Sequence, residues 1–435
     1  MSPEMIGAIG IGIMLLLMFV NVPVGICMGL VGYIGYSWIA GFHAGLNLAG
    51  LSVVSTVDDF NFAVLPLFLL MGEFGDISGV TKDGYRAANI WLGHLPGGLA
   101  MSSVVGAAAF SAISGSSMAC TALMTRVALP SLLEHKYKPH LAVGSLAAGG
   151  TLGNLVPPGV LYIFYAIMAQ ASVGQLFIGS VIPGIVLTVM YMIQIWIQCK
   201  IDPLAGPRAA KTSWRQKVLA LRDTAALIFV FLLVMGGIEF GIFTPFEAAA
   251  TGTLFVFIYS LLRKTMSGQK LAQAFRSTTI TVGMIFAVIV GAKIFTSYMA
   301  ITNLSQSLAA WVVELNVSKV GVIIIIMIAY FILGTAMDTL SMLLLTVPIF
   351  LGIIRTLGID LIWFGVLVII QMELASLSPP AGMNLYIVYS MGKDKGITMG
   401  TVFWGVTPFC FTMLVFNAFI IAVPQTVTWL VSVMK

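Results

Sequence analysis

The sequence carries one pattern twice: Gly153-Asn154-Leu155-Val156-Pro157-Pro158-Gly159 and Leu377-Ser378-Pro379-Pro380-Ala381-Gly382-Met383-Asn384. Each copy lies inside an apolar segment that is long enough to cross a bilayer. A Pro-Pro pair cannot continue a helix, because proline lacks the backbone donor and pushes the preceding residue out of the helical region. Non-helical backbone is tolerated at membrane depth only where protein buries it or where it lines a polar cavity. The two copies therefore predict two broken membrane helices with a binding site between them.

The composition is that of a polytopic α-helical membrane protein. Of the 435 residues, 59% are hydrophobic and 9% are charged, whereas roughly a quarter are charged in soluble domains. Apolar runs of about twenty residues recur from end to end and are continuous rather than alternating. The net charge of +5 reflects membrane topology, not nucleic-acid binding, because the basic residues cluster in links between apolar runs.

Two further apolar runs have a small, polar centre. In the run 97–133 the centre is Ser114-Gly115-Ser116-Ser117, and in the run 318–354 it is Gly334-Thr335-Ala336-Met337-Asp338. Two half-length helices that meet at such a tip explain the pattern better than one long helix does. Both runs are therefore predicted to be re-entrant hairpins, each closed by a proline.

Landmarks in the two halves of the chain recur at nearly one spacing. The basic link 200–222 should be cytoplasmic under the positive-inside rule, so the two hairpins should enter the membrane from opposite sides. We therefore expect an inverted-topology repeat in which each half has about five spans, one hairpin and one broken helix. The matched landmarks are Gly115 with Gly334, Pro130 with Pro348 and Pro157 with Pro379, at offsets of 219, 218 and 222 residues.

These landmarks predict the boundaries of the domains. The N-terminus is expected on the periplasmic side, and the segment 41–59 is expected to be a polar link. The predicted units are a first repeat 1–199 with hairpin 97–133 and broken helix 141–170, a cytoplasmic linker 200–222, and a second repeat 223–435 with hairpin 318–354 and broken helix 360–391.

The motifs do not predict an enzyme. All four histidines lie in links, zinc and phosphate motifs are missing, and the embedded serines have no histidine partner. The four cysteines have no paired or metal-ligand spacing. The tips instead offer hydroxyls and free carbonyls that suit sodium, while the positive ends of the half-helices suit an anionic group. The competing interpretation is that these small residues only allow tight helix packing, but their occurrence in symmetric pairs favours a site.

Isolated charges within spans are functional candidates, because an unpaired one costs on the order of several kcal/mol. Asp338 either ligates a cation or caps its half-helix. Arg126 either reaches a substrate carboxylate or extends to the interface, and Lys293 either binds an anion or joins an internal salt bridge. Three carboxylates that are candidates for coupling, but are expected to be paired near span ends, are Glu73, Glu239 and Glu373.

With these motifs, the sequence resembles the large membrane subunit (DctM family) of TRAP (tripartite ATP-independent periplasmic) transporters over essentially its whole length. The resemblance implies sodium-coupled, elevator-type import of an organic acid through an ion-transporter-superfamily-like fold in the bacterial inner (cytoplasmic) membrane. It also implies two protein partners, a small four-helix membrane subunit and a periplasmic substrate-binding protein. The stretches that carry it are 66–73, 95–98, 114–117, 147–153 with Pro157-Pro158, and 377–380.

Under this resemblance each sodium site lies where a hairpin tip meets the broken helix of its own half. Na+ is the expected cofactor, and the acid is expected to bind between the tips. The rival function is an ion channel with two re-entrant loops, but inverted repeats within one chain favour alternating access. The expected sodium-binding residues are Ser114, Gly115, Ser116, Gly153, Asn154, Gly334, Thr335, Asp338, Ser376 and Ser378. The expected substrate-binding residues are Ser117, Pro158, Met383, Asn384, Arg126 and Lys293.

Overall fold

The computed structural model describes residues 2–20, 22–209, 211–314, 317–334 and 337–434, apart from the side chains of 305, 309 and 313. Within these ranges the chain forms helices and no strand. The first eleven helices are α1 (Pro3–Phe19), α2 (Val24–Ala40), α3 (Phe42–Val57), α4 (Val64–Ser78), α5 (Val80–Leu92), α6 (Gly98–Ser114), α7 (Ser117–Glu134), α8 (Pro139–Leu155), α9 (Val160–Ala169), α10 (Val173–Ile201) and α11 (Trp214–Asp223). The other eleven are α12 (Ala225–Phe231), α13 (Gly237–Glu239), α14 (Pro245–Leu262), α15 (Gly268–Ile301), α16 (Leu304–Glu314), α17 (Lys319–Leu333), α18 (Thr339–Thr356), α19 (Leu361–Leu377), α20 (Met383–Gly392), α21 (Met399–Ala422) and α22 (Gln425–Val433).

Several helices are long and apolar enough to cross a membrane. There are six in the described part of the chain by length and composition, or up to eight if each of two bent helix pairs is one span. One bent pair is α8 with α9, at 41°, and the other joins α11 to the segment Ala225–Glu239, at 50°. The prediction of an all-helical polytopic membrane protein is therefore confirmed, while five spans per half stays a prediction.

The segment 41–59 is mostly helical, so the expectation of a polar link there is wrong. Helix α3 occupies Phe42–Val57. Its polar residues form bonds within the helix, as where Thr56 Oγ1 donates to the Ser52 carbonyl over 2.7 Å. Gly45 lies against the Ser37 side chain of α2, where a larger residue would clash. Small residues here bring two helices together.

The two hairpin prolines lie inside helices rather than closing the hairpins. Pro130 is within α7 and Pro348 is within α18, and both helices continue beyond the proline. The predicted linker 200–222 is likewise partly helical. Ser213 and Gln216 form a reciprocal capping box that starts α11, because this pairing satisfies free backbone donors of the first turn.

The linker is bound to the base of the first hairpin. The Gly97 amide donates to the Gly206 carbonyl over 3.0 Å, and the Tyr137 hydroxyl donates to the Pro207 carbonyl over 2.9 Å. Lys138 forms an ion pair with Asp202, and the hydrogen bond from its ammonium holds the pKa of the Asp202 carboxyl below its usual range. The basic link and the base of this hairpin therefore lie at the same end of the molecule.

A glycine-lined crossing joins α2 to α15. A Cβ on Gly25 would lie 2.8 Å from the Val288 Cα, and one on Gly32 would lie 2.8 Å from the Phe295 Cα. Small residues let membrane helices approach until their backbones touch, which strengthens van der Waals packing in the absence of a hydrophobic driving force. This crossing fixes α15 against the N-terminal helices.

Replacing Gly32 by Leu should lower the thermal midpoint of the purified chain in detergent. Overpacking costs about 1–3 kcal/mol, which corresponds to a decrease of about 1–3 °C for a chain of this length. Gly12→Leu is the matched control, since a Cβ on Gly12 meets nothing within 4 Å. Equal midpoints for the two variants would contradict the close crossing.

Candidate functional site

The first hairpin tip packs directly on the first helix break. Gly115 ends α6 with φ +60°, a conformation that favours glycine, and its carbonyl accepts the Val160 amide over 3.1 Å. Ser116 caps α7 by accepting from the Ala119 amide. A Cβ on Gly153 would lie 2.6 Å from the Ser116 carbonyl oxygen. Backbone therefore meets backbone here, which only glycine at position 153 allows.

The second tip meets the second break in a similar manner. Gly334 ends α17 and lies against the Ala375 side chain of α19, where a Cβ would overlap. Asp338 caps α18 by accepting the Ser341 amide over 3.1 Å, so the capping role is present. Ser378 donates to the Leu374 carbonyl over 2.7 Å. Thr335, an expected sodium ligand, lies outside the described residues.

A carboxylate that the sequence analysis placed elsewhere connects the two breaks. Glu373 is fully buried and lies one turn before α19 ends at the break. It forms no ion pair in the described ranges, so the expectation that it is paired is wrong. Asn154 Nδ2 donates to Glu373 Oε1 over 2.7 Å and to Ser117 Oγ over 3.3 Å. Ser376 Oγ donates to the Glu373 backbone carbonyl over 2.9 Å and lies 3.3 Å from Oε2. Glu373, Asn154, Ser117 and Ser376 form the central polar cluster.

The central polar cluster has no basic partner in the described ranges. The two ion pairs described there, Lys138–Asp202 and Arg263–Asp83, lie elsewhere. Nor do those ranges hold a group of three or more His, Cys, Asp or Glu side chains suited to a metal ion. A buried carboxylate is expensive unless its charge is balanced. Carboxylate, amide and hydroxyl oxygens suit a hard monovalent cation or a proton.

The other two carboxylates are at different places. Glu73 accepts the Ser277 hydroxyl over 2.6 Å, and Glu239 is half-buried at the end of α13. A glutamate inside an otherwise apolar run, followed three residues later by Ser376, was the sequence signal that distinguished Glu373 from them.

A small cavity, the tip pocket, lies between the two hairpin tips and has a volume of about 10 Å³. Asn384 is fully buried, its Nδ2 donates to Ser376 Oγ over 3.4 Å, and its Oδ1 has no hydrogen-bond partner in the described part of the chain. Pro158, expected to bind substrate, is buried at the first break and does not line the pocket. The described lining is Ser117, Met118, Gly334, Met337, Asp338, Thr339, Met342, Met372, Ser376, Met383 and Asn384.

The two basic candidates lie away from the tip pocket. Arg126 is exposed on α7. Lys293 donates to the Ser55 carbonyl over 3.1 Å and, with Arg355, lines a separate cavity of about 850 Å³. No carboxylate in the described ranges is within ion-pair distance of Lys293, so the expectation of an internal salt bridge is wrong. Arg355 also donates to the Ala169 carbonyl at the end of α9 over 2.9 Å.

The arrangement of helices is that of a known membrane transporter. The solved YdaH transporter of Alcanivorax borkumensis matches with a TM-score of 0.66 at 13% sequence identity, covering 88% of this chain and 89% of that one. At this identity the likeness shows the fold alone.

Two relatives of similar length are closer in sequence. The C4-dicarboxylate TRAP transporter large permease protein DctM of Rhodobacter capsulatus is 30% identical over 428 residues, 95% of this chain and 96% of the relative. The sialic acid TRAP transporter large permease protein SiaM of Vibrio cholerae is 28% identical over 410 residues, 94% of each. The family model of the DctM component of tripartite ATP-independent periplasmic transporters matches residues 11–426.

The chain belongs to the DctM family of TRAP transporter large permeases. This confirms the resemblance seen at the tips and the Pro-Pro breaks. The chain is thus a multi-pass permease subunit and not an enzyme.

Replacing Glu373 by Met should raise the thermal midpoint in sodium-free buffer by about 1–4 °C, because it removes a buried charge without a counter-ion. The increase in the thermal midpoint is partly offset because the Asn154 amide loses its nearest hydrogen-bond acceptor. Gln371→Met on the same helix is the control. Gln371 donates to the Met327 carbonyl over 2.9 Å and accepts from Asn417, so this variant should lower the midpoint. A decrease of the thermal midpoint in both variants would contradict the claim that the buried charge of Glu373 is destabilising without a bound cation.

Proposed function

We propose that the chain imports an organic acid across the bacterial inner membrane in symport with sodium, by an elevator mechanism. The observation that carries this proposal is the central polar cluster, in which Glu373 is buried between two helix breaks without a basic partner in the described ranges. A sodium ion near each tip would balance this charge and that of Asp338. Sodium would then order the tips and breaks before the acid binds.

Two features support a carrier rather than a channel with re-entrant loops. A channel needs a continuous polar pore, whereas the tip pocket has a volume of only about 10 Å³. The second feature is the large cavity, whose walls include α3 and α15 on one side and the ends of α9 and α18 on the other. Movement of the hairpins and broken helices past the α2–α15 crossing would carry the tip pocket across the membrane, as inverted repeats permit.

The relatives support the substrate class and the partners. One is named for C4-dicarboxylates and another for sialic acid, and both kinds of substrate are organic acids. The family is that of tripartite periplasmic transporters, which supports two partners, a small four-helix membrane subunit and a periplasmic binding protein. The N-terminus and the large cavity would face the periplasm, where Lys293 and Arg355 attract the acid.

Sodium activation should depend on both tips. Asn154→Ala removes the amide that connects the breaks, and Asp338→Asn keeps a capping oxygen but removes the charge. Each should raise the sodium concentration for half-maximal uptake in proteoliposomes by at least about tenfold, since a lost charge-assisted contact is worth about 1.5–3 kcal/mol.

Matched controls separate ion binding from folding. Thr151→Val changes a buried hydroxyl on the same helix as Asn154, and Asp360→Asn changes a carboxylate that caps α19 by accepting the Trp363 amide over 2.8 Å. Both controls should keep the wild-type sodium response. If the Asn154 and Asp338 variants also keep it, the sodium sites are elsewhere.

A further inference from the structure

The tip pocket has an unusual concentration of methionine. Of its eleven described lining residues, five are methionine, whereas the whole chain has 25 among 435 residues. They come from both hairpins and from both sides of the second break, so no single helix accounts for them. Met342 and Met372 are fully buried, while Met118 and Met383 are 45% exposed. The five are Met118, Met337, Met342, Met372 and Met383.

Two polar side chains of the pocket already form hydrogen bonds within the protein. The Ser117 hydroxyl already accepts from Asn154, and the Ser376 hydroxyl donates to the Glu373 carbonyl. Asn384 Oδ1 is buried and has no hydrogen-bond partner in the described ranges. A polyhydroxylated acid would find few hydrogen-bond partners among the five methionines of the lining, and each hydroxyl left unpaired is costly.

The pocket has the features of a site for one carboxylate. Three helices, α7, α18 and α20, begin at lining residues, namely Ser117, Thr339 and Met383. Helix N-termini present backbone donors and partial positive charge, which favour an anion. Ser116 and Asp338 already accept from one first-turn amide of α7 and one of α18. No Lys, Arg or His is among the described lining residues, and Asp338 adds a negative charge. A second carboxylate would therefore be buried without a counter-charge.

We propose that the transported acid is a monocarboxylate with a flexible, apolar body, which resembles neither a C4-dicarboxylate nor a sugar acid. This inference rests on the proposed function. In this structure the pocket, at about 10 Å³, has room for about one water, so the acid enters as the exposed side chains of Met118 and Met383 move aside. The carboxylate then lies at the three helix starts, and the body lies among the methionines. Methionine has three rotatable side-chain bonds and a polarizable sulfur, so it adapts to varied apolar shapes. Asn384 Oδ1 supplies an oxygen for the sodium ion that accompanies the acid.

The test is thermal stabilisation of the permease, purified with its small membrane subunit, by three acids. The probes are 4-methylpentanoate, succinate and gluconate, each titrated in sodium buffer and in choline buffer. In sodium, 4-methylpentanoate should stabilise at concentrations at least about tenfold lower than the other two acids. The double variant Met118→Gln with Met383→Gln, at two exposed positions, should weaken that binding at least about tenfold.

Two further variants control for folding and for size. The double variant with Leu at both positions should bind 4-methylpentanoate within about threefold of wild type, because Leu keeps the apolar lining. Met284→Gln, on α15 and 60% exposed, should have no effect.

The remaining outcomes are decisive. Tighter binding of succinate or gluconate, or no stabilisation by any acid, overturns the inference, as does an unchanged affinity in the Gln double variant. Equal stabilisation by 4-methylpentanoate in sodium and in choline supports the ligand class but contradicts sodium coupling. Sodium-dependent binding of succinate alone supports sodium coupling but contradicts the proposed ligand class.

Discussion

The hydrogen bond from the Asn154 amide to the Glu373 carboxylate connects two helix breaks that are more than 200 residues apart in sequence. Each break exists because a Pro-Pro pair stops a helix inside the protein, which leaves polar backbone at depth. Such backbone persists only if other polar groups or an ion satisfy it. The bond therefore connects the two helix breaks, one in each half of the chain, into a single polar site.

Close backbone contacts make this connection possible. Gly153 lets the first tip lie against the first break, and Gly334 lets the second tip lie against α19. The buried charge of Glu373 opposes this close packing, because burial removes its hydration. Stability and function thus have opposite requirements at one residue, as is common at functional sites. A bound cation reconciles them in the proposed mechanism.

Local sequence patterns predicted the features with local causes. Each of these patterns determines the structure of the segment in which it occurs. They are the tips of glycine and short polar residues, the Pro-Pro breaks and the apolar runs, and the family resemblance followed from them. The role of Glu373 and the position of Lys293 depend on helices from distant parts of the chain, so periodicity and spacing carried little information about them. Helix α3 was missed because its polar residues bond within the helix and Gly45 packs on α2.

The most direct test of the account is uptake of radiolabelled acids into proteoliposomes that contain this permease and its small membrane subunit. The periplasmic binding protein is added outside, with or without an inward sodium gradient. The account predicts accumulation above equilibrium only when both the gradient and the binding protein are present. Accumulation without a sodium gradient would contradict it, because uptake would then be driven by something other than sodium.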